Sequence, residues 1–364
     1  MSILKVGKIR GVSASSDAIS VENDGTCTAN ITNNLSNRNK VINGEMLCAQ
    51  RGTSFSPSAS DQIYTLDRFQ HVATSGAAFD ATVTQDSSAP VGFSKSYKVT
   101  PDATNTPTGG GNAVIRYKIE GQDLQDLAYG TSSAKPLTIS FYAKTGSENS
   151  GDQYTLCLFY FRADGTGKTV SVAFTPTSTY QRFSFEFAGD TDATYGIRNS
   201  IDMGISIQWV LASGPDDIKA AMPTWTVDGT FFRGVTGQSN FLDNTNNEFY
   251  LTGVQLEVGS VATDFEHRSF GQELALCQRY FQKIACSQMY MLLIRTSDNQ
   301  HRLILNHPVT MRTTPTGEMT SGNADGGGSI TVENVTDDTI KFRQGGTGSG
   351  NAPSISEYTV NAEL

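Results

Sequence analysis

Histidines, paired carboxylates and exposed aromatic rings are the groups in this chain that could do chemistry. The four histidines are His71, His267, His301 and His307. None stands in an H-E-x-x-H pattern, and no G-x-S-x-G accompanies them, so neither a zinc protease nor a nucleophile elbow is nominated. His267 lies in DFEHR, between Glu266 and Arg268. That setting suits a charged bridge at a domain junction better than a general base. Glycoside hydrolysis needs two carboxylates flanking one bond. Asp216-Asp217 follows Gly214-Pro215 and reads as a turn or a helix start. Asp264 and Glu266 are two apart and would share a face of an extended chain, so this pair would have to carry any glycan-cleaving activity. The chain has no P-loop, no G-x-G-x-x-G after a strand and no EF-hand loop. TPTGGGN and NADGGGS read as turns and joints. No catalytic residue is assigned, and the expected reading is a protein that is not an enzyme.

Binding chemistry has better candidates. A sugar is held by an aromatic face together with amide and carboxylate hydrogen bonders. Trp225, in PTWTVDGTFF, and Tyr142, opposite in parity to Phe141, are the glycan-contact candidates. Trp209 shares parity with Ile205 and Ile207 and reads as core. A structural calcium ion needs no motif, and a sandwich can hold one with scattered carboxylates and carbonyls. Its candidate ligands are Glu45 and Glu257, in the expected first and last strands. No other cofactor or metal is expected.

The composition sets what must position these groups. Ser, Thr and Asn number 36, 41 and 21, or 98 of 364 residues, while charged residues are only 17 %. Such a chain builds short strands and turns, not a helical bundle. Phe (19) and Tyr (13) supply enough apolar bulk to exclude a disordered acidic chain. The net charge is −9 and no stretch concentrates Lys and Arg, which argues against nucleic acid as partner. Uninterrupted apolar runs reach about six residues, far short of the roughly twenty a membrane span needs, so no membrane insertion is expected. The first residues, MSILKVGKIRGVSASS, contain no apolar stretch like that of a secretory leader. Five widely spaced cysteines, without a C-x-x-C, argue against a disulfide framework or a zinc site and fit synthesis in a reducing cytoplasm.

The chain divides into four segments by pattern. Residues 1–40 read as an attachment arm with a hairpin around Asp24-Gly25. Residues 41–268 alternate with period two in segment after segment: Leu137, Ile139, Phe141 and Ala143 share one face, and Ile205, Ile207, Trp209 and Leu211 another. Strands with one apolar face and no helices between them pair antiparallel. Their number fits a two-sheet jelly roll. Residues 269–285 read as one connecting helix with Ser269 as N-cap. Phe270, Leu274, Cys277, Phe281 and Ile284 fall at spacings of 4, 3, 4 and 3, the stripe of a helix seam between chains or of a helix covering a sheet. Residues 286–364 read as a small β domain of two hairpins and a last strand. Its thin core suggests an oligomer interface or tip. The expected fold class is mainly β: an antiparallel jelly-roll sandwich, then one helix, then a small C-terminal β domain.

Two blocks then stand out. NRNKVINGEMLCAQRGTSF (residues 37–55, with YTLDRFQ at 64–70) and FYLTGVQLEVGSVATDFEHRSFGQELALCQRYFQK (249–283) resemble fibre-like proteins of tailed bacteriophages, especially marine and cyanobacterial podophages. HPVTMRTTPT (307–316) and YTVNAEL (358–364) resemble the same family. The resemblance implies a sandwich like that of carbohydrate-binding modules on a trimeric virion appendage, a tail fibre or spike. Its implied partners are other copies of the chain, tail or other virion proteins through residues 1–40, and host surface polysaccharide. The alternatives are a head fibre or tail adaptor without an adsorption role and, behind these, a glycan depolymerase. The blocks look architectural, with VINGEM opening the sandwich beside the closing GVQLEVG, so host-contact residues are expected elsewhere.

Overall fold

The computed structural model describes residues 6–10, 12, 19–21, 27–29, 37–192, 196–227, 234–294, 300–324, 328–344 and 353–364. Three short strands come first: β1 (Lys8–Ile9), β2 (Ile19–Val21) and β3 (Cys27–Ala29). They pair antiparallel, with Val21 opposite Cys27, which is the register of the expected hairpin. The Asp24-Gly25 turn itself lies outside the described residues.

The next stretch carries β4 (Ser54–Phe55), β5 (Gln62–Tyr64), β6 (Phe69–Ala73), β7 (Ala81–Asp86), β8 (Ser96–Pro101), β9 (Asn112–Glu120), β10 (Leu137–Thr145), β11 (Tyr154–Phe161) and β12 (Gly167–Phe174). It continues with β13 (Gln181–Phe187), β14 (Met203–Ser213), β15 (Ile218–Lys219), β16 (Met222–Val227), β17 (Gly234–Val235) and β18 (Phe249–Val258). Two sheets form, in the orders β13-β10-β18-β8-β7-β4 and β16-β12-β11-β14-β9-β6-β5. All pairs within them are antiparallel. This is the jelly-roll-like sandwich that the alternation predicts. The inward parities are those read from the sequence. Leu137, Ile139, Phe141 and Ala143 of one sheet face Tyr154, Leu156, Leu158, Ile205, Ile207 and Trp209 of the other across one buried core.

A nine-residue helix, α1 (Phe270–Gln278), follows. Ser269 caps it, accepting from the Gln272 amide while the Gln272 side chain returns to the Ser269 backbone, a reciprocal capping box. The expected helix to 285 is corrected here. The Tyr280 amide bonds the Cys277 carbonyl, and the chain then turns extended into β19 (Phe281–Tyr290). Phe281 pairs with Asn361 and Ile284 with Tyr358 on β25 (Ser354–Asn361). A strand partner some eighty residues downstream overrides the local 3.6-residue pattern. The two-heptad seam therefore does not form: Phe270, Leu274 and Cys277 are helical, whereas Phe281 and Ile284 belong to a sheet and pack in or beside it.

The C-terminal unit adds β20 (Leu292–Ile294), β21 (Gln300–Asn306), β22 (Thr316–Asn323), β23 (Ile330–Val335) and β24 (Thr339–Gln344). Its sheets run β19-β25-β22 and β20-β21-β24-β23. Both expected hairpins are present, and β22 is a strand that the pattern missed. Met291, Met311, Ile340, Phe342, Ile355 and Tyr358 form its own small core.

Buried charge holds this unit against the sandwich. Arg68 is 1 % exposed and has a φ of 73°, a left-handed conformation unusual for a residue with a Cβ. Its guanidinium pairs with Glu363, donates to the Lys118 carbonyl at 2.7 Å and lies 3.4 Å from the centre of the Tyr280 ring. Arg51 bridges Glu363 at 3.3 Å and Asp67 at 3.5 Å, and covers the Phe281 ring at 3.6 Å. Arg279 pairs with the fully buried Glu120, to which the Tyr280 hydroxyl also donates.

Removing one partner of a buried ion pair strands the other in a dry site, at roughly 3–5 kcal/mol. Arg68→Ala is therefore expected to lower unfolding stability by about that amount in a denaturant titration. A loss under about 1 kcal/mol would mean the junction is solvated, as surface pairs are. Burial also sets two titrations in the sandwich. The imidazole of His71, fully buried against Phe79, is pushed down to about 4, and the carboxyl of Asp67 up to about 6. Acidification from 6.5 toward 4 loads protons on the unfolded chain's histidine first and erodes stability, whereas Asp67 strengthens the fold between about 6 and 3.8. Histidine NMR should give His71 a midpoint near 4. A midpoint near 6.5 would contradict its burial.

Candidate functional site

Antiparallel register places one outward residue of each strand beside the next. Across the seven-stranded sheet this makes a row of Ser171, Cys157, Gln208, Arg116, Gln70 and Tyr64. A parallel row runs Thr226, Thr169, Phe159, Ser206 and Lys118. These side chains point away from the sandwich core, yet they are not solvent-facing. Ser171, Cys157, Gln208, Thr169 and Ser206 are fully buried, and Gln70 and Arg116 nearly so. The sheet is thus lined by hydrocarbon within and, without, by polar side chains that include Arg116 and Lys118, beside a small apolar cluster of Val72, Val114, Cys157 and Val210.

Two segments rise over this outer face at opposite ends of the strands. At one end β17 and the following turn cross it. The Val235 amide donates to Thr155 Oγ1 at 2.8 Å, that hydroxyl donates to Gln238 Oε1 at 2.6 Å, and Gln238 Nε2 reaches the Val210 carbonyl at 3.1 Å. At the other end the Tyr64 hydroxyl, at 2.6 Å, and the Lys118 ammonium both donate to the Leu364 carbonyl.

Between these ends the hydrogen bonding is incomplete. Arg116 Nε donates to Gln70 Oε1 at 2.8 Å, and Gln208 Nε2 donates to Ser206 Oγ at 3.1 Å. Ser171 Oγ and Gln208 Oε1 are buried with no hydrogen-bond partner among the described residues. An unmade bond of this kind costs about 1–3 kcal/mol. Burial pushes the Arg116 guanidinium down to about 10, and burial beside Arg116 and Arg68 pushes the Lys118 ammonium down to about 7. Arg116 still carries its full charge at neutral pH, and only the Lys118 ammonium is brought into the neutral range. Phe159 closes one side, its ring seated over Gly167, where a Cβ would meet it at 2.0 Å. Phe161 stands edge-on to it at 4.9 Å.

The groups singled out from the sequence lie elsewhere. Trp225 is on β16 of the same sheet but turns inward. It packs on Tyr129, Tyr160 and Phe187, and its indole N–H donates to the Ala188 carbonyl at 3.1 Å. Tyr142 lies on the outer face of the opposite sheet, in an aromatic cluster with Phe93, which itself stacks near Phe265 and His267. Glu45 meets His267 Nδ1 at 2.9 Å, and its carboxyl is raised by burial against the opposing pull of that imidazole. Glu257 is buried, accepting from the Thr263 amide at 2.9 Å and hydroxyl at 2.6 Å, with Arg38 at 3.8 Å. Both calcium candidates are engaged as anchors. Among the described residues no group of three or more His, Cys, Asp or Glu is placed to hold a metal ion.

The Asp264 and Glu266 pair is likewise structural in its contacts. Glu266 accepts from the backbone amides of Asn37 and Asn39, the latter at 2.8 Å, and lies 3.5 Å from Arg268. The expected neighbourhood of VINGEM and GVQLEVG is present, with the Lys40 amide on the Leu256 carbonyl at 2.8 Å and the Val254 amide on the Gly44 carbonyl at 3.0 Å. A concavity of about 760 Å³ opens beside α1 between Lys40, Ile42, Glu266, Leu276 and Arg279.

The polar strip escaped the sequence reading because its residues stand at the positions a strand normally gives to solvent. A signal was nevertheless present. The outward residues of β11 and β14 are Thr155, Cys157, Phe159, Ser206, Gln208 and Val210, without a charge. The exposed outer face of β13 carries Arg182, Ser184 and Glu186.

No protein-family model matches the chain, and no curated protein matches it. Solved structures with a similar sandwich include the enzymatically active domain of bacteriophage CBA120 tailspike protein 4, at 12 % identity and a TM-score of 0.29. That match covers 60 % of this chain and 21 % of the tailspike chain, so the chain spans about a fifth of that protein. A xylan-binding domain from Paenibacillus barcinonensis is similar at 10 % identity and a TM-score of 0.29, covering 57 % of this chain and 95 % of that one. A family 11 carbohydrate-binding module of a Clostridium thermocellum cellulosomal cellulase is similar at 13 % identity and a TM-score of 0.28, covering 59 % and 97 %.

Proposed function

We propose that the outer face of the seven-stranded sheet binds a glycan, and that the chain is an adsorption fibre or spike of a phage virion. The observation that carries the first part is the pair of unspent acceptors, Ser171 Oγ and Gln208 Oε1, within a buried polar strip. Sugar hydroxyls are donors matched to such acceptors, and the amides and guanidinium of Gln70, Gln208 and Arg116 are matched to sugar oxygens. The virion assignment rests on the resemblance carried by residues 37–55, 64–70 and 249–283.

In this reading no bond is broken. The chain holds saccharide by hydrogen bonds, and several copies held together convert weak single contacts into firm attachment. The C-terminal unit presents apolar side chains that a trimer would cover: Tyr290, Leu292 and Ile304 are all more than half exposed. Residues 1–40 attach the trimer to other virion proteins.

Two measurements test this. In calorimetry against host surface polysaccharide, Gln208→Leu should lose roughly 1–3 kcal/mol of binding with an unchanged circular dichroism spectrum. Lys118→Ala, at the rim, should lose less. Binding that survives both substitutions would reassign the strip to the protein interior. Sedimentation at micromolar concentration should give three times the chain mass, and a stable monomer would remove the trimer from the proposal.

A further inference from the structure

One cluster of charge lies on the core side of the sandwich and takes no part in the polar strip. The inward residues of β12 include Val170 and Phe174, and Lys168 shares their parity. This lysine is 4 % exposed. Its cross-strand neighbour is Tyr160 of β11, which packs against both Tyr129 and Trp225. The answering carboxylate comes from the other sheet. Strand β13 ends at Phe187, and the chain beyond it brings Asp190, 7 % exposed, onto the lysine. The Lys168 ammonium meets both carboxylate oxygens, Oδ1 at 2.8 Å and Oδ2 at 2.7 Å, and the Tyr160 hydroxyl donates to Oδ2. The Gly130 amide holds the Asp190 carbonyl at 2.8 Å. A second carboxylate, Asp192, stands 3.0 Å from the same ammonium and 3.7 Å from Arg162.

We propose that Lys168 and Asp190 condense into an isopeptide bond, a covalent strut between the two sheets, with Asp192 as the group that carries the proton. Transfer of one proton within the pair turns ammonium and carboxylate into amine and carboxylic acid. The nitrogen lone pair then attacks the Asp190 carboxyl carbon. Both oxygens of that carboxyl already touch the nitrogen, so the carbon between them stands near the roughly 3–3.5 Å of a near-attack pair. Rotation about Cβ–Cγ turns its open face to the amine. Charge develops on Oδ2, where the Tyr160 hydroxyl donates. The Asp192 carboxylate takes a proton from the nitrogen and delivers it to the Oδ1 hydroxyl, and water departs. One C–N bond forms, one C–O bond breaks, one water is released, and nothing is oxidised or reduced.

The surroundings favour this outcome. Two cations and two carboxylates meet at the edge of the apolar core, where ions are costly to keep. Condensation removes one charge of each sign and leaves Arg162 matched with Asp192. Burial and the adjoining carboxylate keep the Tyr160 hydroxyl protonated, so it enters the reaction as a donor. The Asp192 side chain is 39 % exposed, which gives the released water a way out. The bond is independent of what the outer strip binds.

The test is the intact mass of the full-length protein under denaturing conditions, followed by tryptic peptide mapping. The expected mass is that of the sequence less one water. The expected peptide is branched, with residues 163–182 joined to 183–198 and the chain uncut at Lys168. Lys168→Arg keeps a cation but has no primary amine. It should restore the full mass, keep the circular dichroism spectrum and melt at a lower temperature. Asp192→Asn should slow the loss of water in a protein that still folds. A folded wild-type chain at the full sequence mass would overturn the proposal. So would a loss of water that maps to a cyclised aspartate within one linear peptide.

Discussion

The structure depends most on one desolvated cation. The Arg68 guanidinium is removed from water between the sandwich and the C-terminal unit, and its charge is answered by Glu363, a carbonyl and the Tyr280 ring. Removing an ion from water costs far more than a surface pair returns, so such a group persists only where its partners are held rigidly. Everything around Arg68 supplies that rigidity. The Phe69 amide closes a tight turn on the Leu66 carbonyl at 2.9 Å, which holds Arg68 in its left-handed conformation. A glycine would adopt that backbone without strain but would bring no guanidinium. Arg51 and Gln50 fix the neighbouring Asp67, and Gln50 also reaches the Phe281 carbonyl at 2.8 Å, where β19 begins.

The four sequence blocks 37–55 with 64–70, 249–283, 307–316 and 358–364 converge on this junction or on the suture beside it. Residues 64–70 supply Tyr64, Asp67 and Arg68, and residues 358–364 supply Glu363 and the Leu364 carbonyl. From 307–316 comes Arg312, which donates to the Ala362 carbonyl and, at 2.7 Å, to the Ile201 carbonyl. Residues 37–55 and 249–283 are stitched by Asn39, whose side chain bonds Val254, Leu256 and Val41, and by Arg268, which donates to the Asn39 and Val41 carbonyls. These blocks are therefore joinery: they close the sandwich and couple it to the unit that follows it.

This explains which features the sequence displayed and which it hid. Period-two alternation marks a strand buried on one side, and β10, β11, β13 and β14 were legible for that reason. The end of α1 was not, because the choice at Phe281 is made by β25, far away in sequence, and Phe281 and Ile284 fit a helix spacing as well as a ladder. Glu45 and Glu257 were expected as calcium ligands, and in the fold their carboxylates meet His267 and the amide and hydroxyl of Thr263. Trp225 failed as an exposed platform because a strand at a sheet edge still has an inward face, and its indole found both a carbonyl and three aromatic neighbours there.

The polar strip was the hardest feature to foresee, and its physics differs from that of the junction. At the junction each buried charge has its answer within the chain, so the site is complete and its worth is mechanical. On the strip, Ser171 and Gln208 each carry a buried acceptor that is unmet among the described residues. A fold stabilised by several buried ion pairs and a large apolar core can tolerate that cost, and a thin domain could not. The division of labour follows from this margin. The completed junction and the large apolar core give the sandwich the stability to keep two buried acceptors unmet.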